Sequence, residues 1–316
     1  LLLPTVAETY SYALSELSSL CVPAVATRIG ALAERIVDGE SGLLVAADAA
    51  GTVLGGRVAR ERLLPGLQAW GRVADYRAYQ IGQRPNVETY FDSRLGAEDI
   101  LGFGFQNVCI ATGAHWRADG VARLHVAPIP GAGVAGSVPV FTPDDIMAGR
   151  LPAGRVVVFD DDHCYMGGVL AELLAQKGCE VVLVTPSAYV SDWTANTLEQ
   201  AAIHRRLHSV GVKIVLNTGV MALTAAGVET ACSYTGAADR IEADAVVMVA
   251  SRISDDQLYR DLLAREPEWA DAGILSVKII GDAAAPAPIA WATFAGHRYA
   301  RELDMPDIGD ALPFRR

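Results

Sequence analysis

The stretch that most constrains this chain is Arg155–Pro186, RVVVFDDDHCYMGGVLAELLAQKGCEVVLVTP. Val156–Phe159 is a short apolar run. Gly167–Gly178 carries Val169, Leu170, Leu173 and Leu174 at helical spacing, and Val181–Val184 is a second wholly apolar run. Strand, turn, helix and strand in that order make one βαβ unit, the core of a dinucleotide-binding fold. In such a unit the turn after the first strand holds a Gly-x-Gly-x-x-Gly fingerprint, because glycines let the backbone approach a pyrophosphate. Here those three places hold Asp160, Asp162 and Tyr165. At about 5 Å and an effective dielectric of about 20, each acid repels a phosphate charge by ~3 kcal/mol. A helix dipole returns at most ~2 kcal/mol. This turn is expected to refuse NADH and NADPH.

A chain of 316 residues holds two medium domains, or one split domain with another inserted. Its 51% hydrophobic and 20% charged content exclude a disordered tail and allow sizeable cores. A net charge of −11 argues against a nucleic-acid partner. The cysteines Cys21, Cys109, Cys164, Cys179 and Cys232 show no C-x-x-C spacing. They read as free thiols in a reducing cytoplasm, and an iron–sulfur cluster, which needs clustered thiolates, is not expected in this chain. No window is long and apolar enough for a membrane span and no signal peptide is evident, so the expected location is cytoplasmic.

Taken in order, Leu43–Asp48 reads as a strand ending in an acid, followed by Leu54-Gly55-Gly56-Arg57-Val58. Trp70–Ile81 reads as a helix, Val87–Phe91 as a strand, and Val108–Ala114 as a buried strand ending in Ala111-Thr112-Gly113. Residues 121–149 are loop-rich, and Thr142-Pro143 caps a short helix. Beyond the βαβ unit, Thr197–Val210 reads as a helix, and Gly211–Val215 and Val220–Leu223 as strands. Gly227–Tyr234 reads as an edge strand and Glu242–Val249 as a buried strand that returns to the first domain. Val277–Ile280 leads into Gly281-Asp282 and a helix from Ile289 to Leu303.

Metal readings are weak. Asp160, Asp161, Asp162 and His163 are consecutive, and consecutive side chains in a turn rarely converge on one ion. Acids near a helix start compensate its dipole instead. His204 and His208 have ligand spacing but no acid in His-Glu-x-x-His register, which favours a solvated face. Tyr165 and Trp193 are aromatic positions that packing explains.

The string DDDHCYMGG, followed by LAELLAQKG, VTP and Trp193-Thr194-Ala195-Asn196-Thr197, resembles the C-terminal half of trimethylamine dehydrogenase-like enzymes, large relatives of old yellow enzyme. The resemblance runs from Gly55 to Asp304. In that family an FMN-bearing barrel and an iron–sulfur cluster come first, and two nucleotide-binding-type domains follow. The resemblance implies an α/β fold with two Rossmann-like dinucleotide-binding-type domains, the second inserted in the first. The split FAD/ADP-binding-type domain would take residues 46–120 and 246–316, and the NAD(P)-binding-type domain residues 121–245. It also implies an oxidoreductase component that binds FAD or ADP weakly and is not catalytic alone. FMN and the iron–sulfur cluster would lie in a partner region, an FMN-barrel domain or subunit; a homodimer is a further expected assembly.

By the same resemblance Asp48 would hold the adenosine ribose hydroxyls, a loop aspartate being the alternative. Gly55, Gly56 and Arg57 form the turn after it. Thr112 and Gly113 mark where the chain leaves the first domain, with Gly113 allowing close backbone approach. Gly281 and Asp282 meet the ribityl or pyrophosphate region. The first fingerprint should precede Asp48, but Thr27-Arg28-Ile29-Gly30 offers one glycine, so either the fingerprint is replaced or the chain is a chimera. Residues 1–45 instead resemble part of a retaining glycosyltransferase sugar-nucleotide domain, through Glu8 and Glu16 and the segments Val22–Thr27 and Ile29–Gly39. An amphipathic helix and a strand with solvated glutamates account for the same residues and are preferred. A non-binding structural domain is the third reading.

Overall fold

The structure, a computed structural model, describes Val25–Ala26, Gly42–Val45 and residues 54–91 and 95–303. Asp48, Glu8 and Glu16 lie outside them. The chain divides into two units: Leu1–Ala59, Trp70–Ala114 and Ser254–Arg316 form one, and Arg60–Ala69 with His115–Ile253 the other. Both are mixed α/β and built on parallel strands.

In the second unit five parallel strands lie in the order Val140–Phe141, Ala245–Val249, Arg155–Asp160, Glu180–Val184 and Lys213–Val215. The inner strands are apolar without alternation because the sheet is covered on both faces. Val157, Val158, Phe159, Val246, Val247 and Met248 are fully buried. Helix Met166–Gln176 joins Arg155–Asp160 to Glu180–Val184 and buries Leu170 and Leu174. Thr142 opens the helix Pro143–Met147 with a capping box: its hydroxyl accepts from Asp145 N (3.3 Å), and its own N–H donates to the Asp145 carboxylate (2.8 Å).

Three features differ from the sequence reading. Ala245–Val249 does not return to the first domain; it pairs with Arg155–Asp160 inside the second unit's sheet, and the chain re-enters the first unit at Ser254. Gly227–Cys232 is not an edge strand. It is the middle of an antiparallel meander between Thr218–Thr224 and Ala238–Glu242. Its outer partner, ADRIE, is polar and mostly exposed, so it carries no apolar period to detect. The helix expected from Thr197 runs from Gln200 to Ser209, because Leu198 takes a left-handed backbone (φ 62°) that breaks helical geometry.

In the first unit Val25–Ala26, Asn107–Ile110 and Ser276–Ile279 form a parallel sheet with Asn107–Ile110 central. Gly42–Val45 pairs in parallel with Val87–Tyr90. Val25–Ala26, within the segment likened to a transferase, is thus hydrogen-bonded to the same sheet as the distant Ser276–Ile279 neighbour strand. One core cluster gathers Ile100, Val108, Ile110, Leu262, Ile274 and Val277. Cys109 and Tyr299 sit in another, where burial pushes both ionisations far up.

Candidate functional site

In the first unit the candidate residues other than Asp48 meet near the carboxyl ends of parallel strands, the usual place for a ligand in an open α/β sheet. Asn107–Ile110 runs into Thr112-Gly113, and the adjacent Ser276–Ile279 runs into Gly281-Asp282. Parallel register therefore brings both turns to one edge. Gly55 (φ 128°) and Gly56 (φ 51°) form a turn that opens the helix Arg57–Glu61, with Gly55 O accepting from Val58 N at 3.0 Å. A Cβ on Gly55 would stand 2.9 Å from the Ala74 Cβ, so this position takes no larger residue without a shift.

Arg57 Nη2 lies 3.2 Å from Asp282 Oδ2, each side chain 12% exposed, and donates to Ala287 O at 3.1 Å. Asp282 Oδ1 accepts from Ala287 N at 3.0 Å. Ser254 Oγ donates to Asp282 O at 3.1 Å, Asp255 N donates to Gly113 O at 2.9 Å, and the Thr112 hydroxyl donates to Asp255 O. Four separated segments are thereby tied into one network: 55–57, 112–113, 254–255 and 281–287. Ser254 and Asp255, which the sequence reading passed over, are among its members; their polar Ser-Asp-Asp run was the only signal. Gly113 needs its glycine for φ 90°, and a Cβ there would meet nothing within 4 Å. Among the described residues, its close approach is therefore to no neighbouring group.

The second unit presents a different turn. Strand Arg155–Asp160 ends in a fully buried Asp160, whose Oδ1 accepts from His163 N (3.0 Å) while Oδ2 has no hydrogen-bond partner. Burial first, then the charge of Asp162, pushes the Asp160 carboxyl up to about 7. Burial also raises Asp162, against the pull of Arg252. Burial opposes protonation of His163, but Asp161 and Asp160 outweigh it and hold the imidazole above its usual value. Val249 O accepts from both Asp161 N (2.9 Å) and Asp162 N (3.1 Å), and Leu124 N donates to Asp161 Oδ2 (2.8 Å).

The close-approach glycine here is Gly167, not the place held by Tyr165. A Cβ on Gly167 would fall 2.4 Å from Asp160 Cγ. The turn is two residues longer than the fingerprint allows, and the Gly167-Gly168 pair at the helix start was the signal for it. Tyr165 instead donates its hydroxyl to Glu61 Oε2 (2.9 Å), a fully buried carboxylate. Trp193, 56% exposed, contributes its backbone N–H to His163 O (3.0 Å). His204 does not face solvent as a ligand would; its Nε2 accepts from Val190 N at 3.2 Å. Among the described residues no group of three His, Cys, Asp or Glu side chains is placed to hold a metal ion, and no helix is long and apolar enough to cross a membrane.

The fold has counterparts in known proteins. Residues 141–242 match the family model described as the OYE-like second alpha/beta domain. More specifically, the chain is 36% identical to a dimethylamine dehydrogenase from Hyphomicrobium sp. (strain x), over 83% of this chain and 39% of that protein. It is 62% identical to a histamine dehydrogenase of solved structure from Rhizobium sp. 4-9, with a TM-score of 0.87 over 94% of this chain and 46% of that one. A 6-hydroxypseudooxynicotine amine oxidase from Pseudomonas geniculata N1 matches at 37% identity and TM-score 0.80, over 94% of this chain and 43% of that one. The chain is homologous to the dimethylamine and histamine dehydrogenases and spans less than half the length of each. A match over 94% of the chain takes in part of residues 1–45, and nothing in it favours a transferase.

Proposed function

We propose that this chain is the nucleotide-binding portion of a flavin-dependent oxidoreductase of the amine dehydrogenase type. On this reading it has two Rossmann-like units and binds FAD or ADP in the split unit. The observation that carries the proposal is the meeting of the Gly55-Gly56-Arg57, Thr112-Gly113 and Gly281-Asp282 turns at one sheet edge. The donor set suits an adenine nucleotide. Arg57 neutralises Asp282, so the acid does not repel a pyrophosphate, and the open side of Gly113 admits a group that a Cβ would meet. Homology to the two dehydrogenases supports the oxidoreductase class.

When bound, a flavin supplies electron transfer; the residues named here bind and orient. Gly55, Gly56 and Gly113 let backbone approach, and Asp282, held by Arg57 and Ala287 N, offers a fixed acceptor edge. Amine oxidation itself belongs to an FMN-barrel domain or subunit with its iron–sulfur cluster, which this chain would dock. A cytoplasmic homodimer is the assembly in keeping with that arrangement. Calorimetric titration of the chain with ADP and with FAD tests the reading. Saturable binding is expected, and Asp282→Ala should weaken it at least tenfold. An affinity unchanged by Asp282→Ala removes the site from the split unit. Absence of any adenine-nucleotide binding removes the function.

A further inference from the structure

The first turn of helix Met166–Gln176 is closed by a side chain of the strand that precedes it. Asp160 is fully buried, and its carboxyl occupies the space that a Cβ on Gly167 would enter. One carboxyl oxygen takes the His163 N–H; the other is buried and, among the described residues, has no hydrogen-bond partner. A carboxylate so placed buries a charge with one oxygen unmet, whereas the neutral carboxylic acid leaves only an uncharged group without a partner, which costs far less. We propose that Asp160 works as a proton-dependent latch, sealing the start of helix Met166–Gln176 as the neutral acid and releasing the 161–165 turn when it loses its proton.

The groups around it decide the direction. On its own turn stand Asp161, Asp162, His163 and Cys164. Arg123 acts from the segment before Leu124, and Arg252 from beyond the neighbouring strand Ala245–Val249. The helix side contributes Gly167 and Gly168, which carry no charge. The strand on the other flank, Glu180–Val184, ends in the buried neutral Thr185. Glu61 is turned to Tyr165, Asp192 to Ser187 and His204 to Val190, so none of them answers Asp160. His163 Nε2 and Asp161 Oδ1 stand 3.4 Å apart, an ion pair without hydrogen-bond geometry. Ionised Asp160 therefore adds a buried charge beside Asp162 and Asp161, and the cation that opposes it is His163, while Arg252 and Arg123 act on Asp162.

The sign follows from burial. The folded chain keeps the Asp160 proton up to about 7, against 3.8 for an ordinary aspartate, so the advantage of the closed turn is full in acid, falls as the pH rises from 3.8, and is spent by about 7. His163, held above 6.5, adds its loss in the same direction. The opening is local. The bonds at stake are those of the turn: His163 N to Asp160, Asp161 N and Asp162 N to Val249 O, and Trp193 N to His163 O.

Amide hydrogen exchange of this chain, read over residues 159–172 between about pH 5 and about pH 8 and corrected for intrinsic rates, tests the latch. Protection of the turn is expected to fall by up to about tenfold per pH unit as the pH rises toward about 7, where the open turn has lost the proton that the closed turn keeps, and to level off above it. In Asp160→Asn, which is neutral at every pH, that slope is expected to vanish. A flat wild-type profile, or the same slope in Asp160→Asn, overturns the proposal. Should Asp160→Asn fail to fold, infrared difference spectra of the wild type with isotope-labelled aspartate provide the second readout. A protonated carboxyl band present near about pH 6 and gone by about pH 9 supports the latch, and its absence at the lower pH overturns it.

Discussion

Arg57 and Asp282 illustrate what single residues show and hide. Each was legible as part of a short motif, Gly-Gly-Arg and Gly-Asp, because only certain residues tolerate those turns. Gly55 and Gly281 indeed have left-handed φ values of 128° and 61°. That the two motifs meet was not legible as contact: Arg57 donates to Ala287 O across 230 positions, and its partner Asp282 is set by sheet register rather than by local sequence. Both side chains are mostly buried, so breaking the pair takes one opposite charge away from a poorly solvated group. Asp282→Ala is expected to lower stability by about 2–4 kcal/mol, and Asp282→Asn, which keeps an acceptor for Ala287 N, by less. Urea midpoints of the two variants check this. Equal midpoints for Ala, Asn and wild type would mean that the pair is not coupled to folding.

At the scale of elements, long apolar runs were the readable part. Val156–Phe159, Val181–Val184 and Ala245–Val249 became neighbouring buried strands, as runs without polar interruption should. Placement of the last within a unit was not readable, since a buried strand carries no mark of which sheet receives it. Helix packing has the same blindness. Glu172 on helix Met166–Gln176 is 7% exposed and accepts from Arg206 on helix Gln200–Ser209, while Gln176 Nε2 donates to the same carboxylate at 2.9 Å. Arg206 itself is 54% exposed, so water screens the cation more than the anion. The two deletions should therefore be unequal. Arg206→Ala strands a buried carboxylate and is expected to cost about 1–3 kcal/mol. Glu172→Gln keeps a hydrogen-bonding amide and leaves Arg206 to solvent, at about 1 kcal/mol or less. Thermal unfolding in low and high salt distinguishes them; a larger loss for Glu172→Gln would contradict the burial argument.

For the whole molecule the question is how many nucleotides one chain takes, since both units have parallel strands that end in candidate turns. One is expected, in the split unit. The sequence argued against the second site through the charges of Asp160 and Asp162, but burial raises Asp160 to about 7, so near neutrality that charge is only partly present. Space is the stronger reason. A phosphate needs the backbone N–H groups at the first turn of helix Met166–Gln176, and the Asp160 carboxyl already lies against Gly167 there. The turn is also two residues longer than the fingerprint, with His163 in a left-handed conformation (φ 64°). Lowering the pH would neutralise the acid without emptying the place, so acid alone should not admit NADH. Titration at about pH 6 and about pH 8 is expected to show no NADH binding in the inserted unit, as occupancy requires and as charge repulsion alone would not. Removing the side chains is the converse test. Asp160→Gly with Tyr165→Gly should leave a cavity at the helix start, and inorganic phosphate should then slow hydrogen exchange of Met166–Val169 in the variant but not in the wild type. Micromolar NADH binding to the inserted unit of the unmutated chain would show that the Asp160 side chain moves aside, and the one-nucleotide stoichiometry would fall with it.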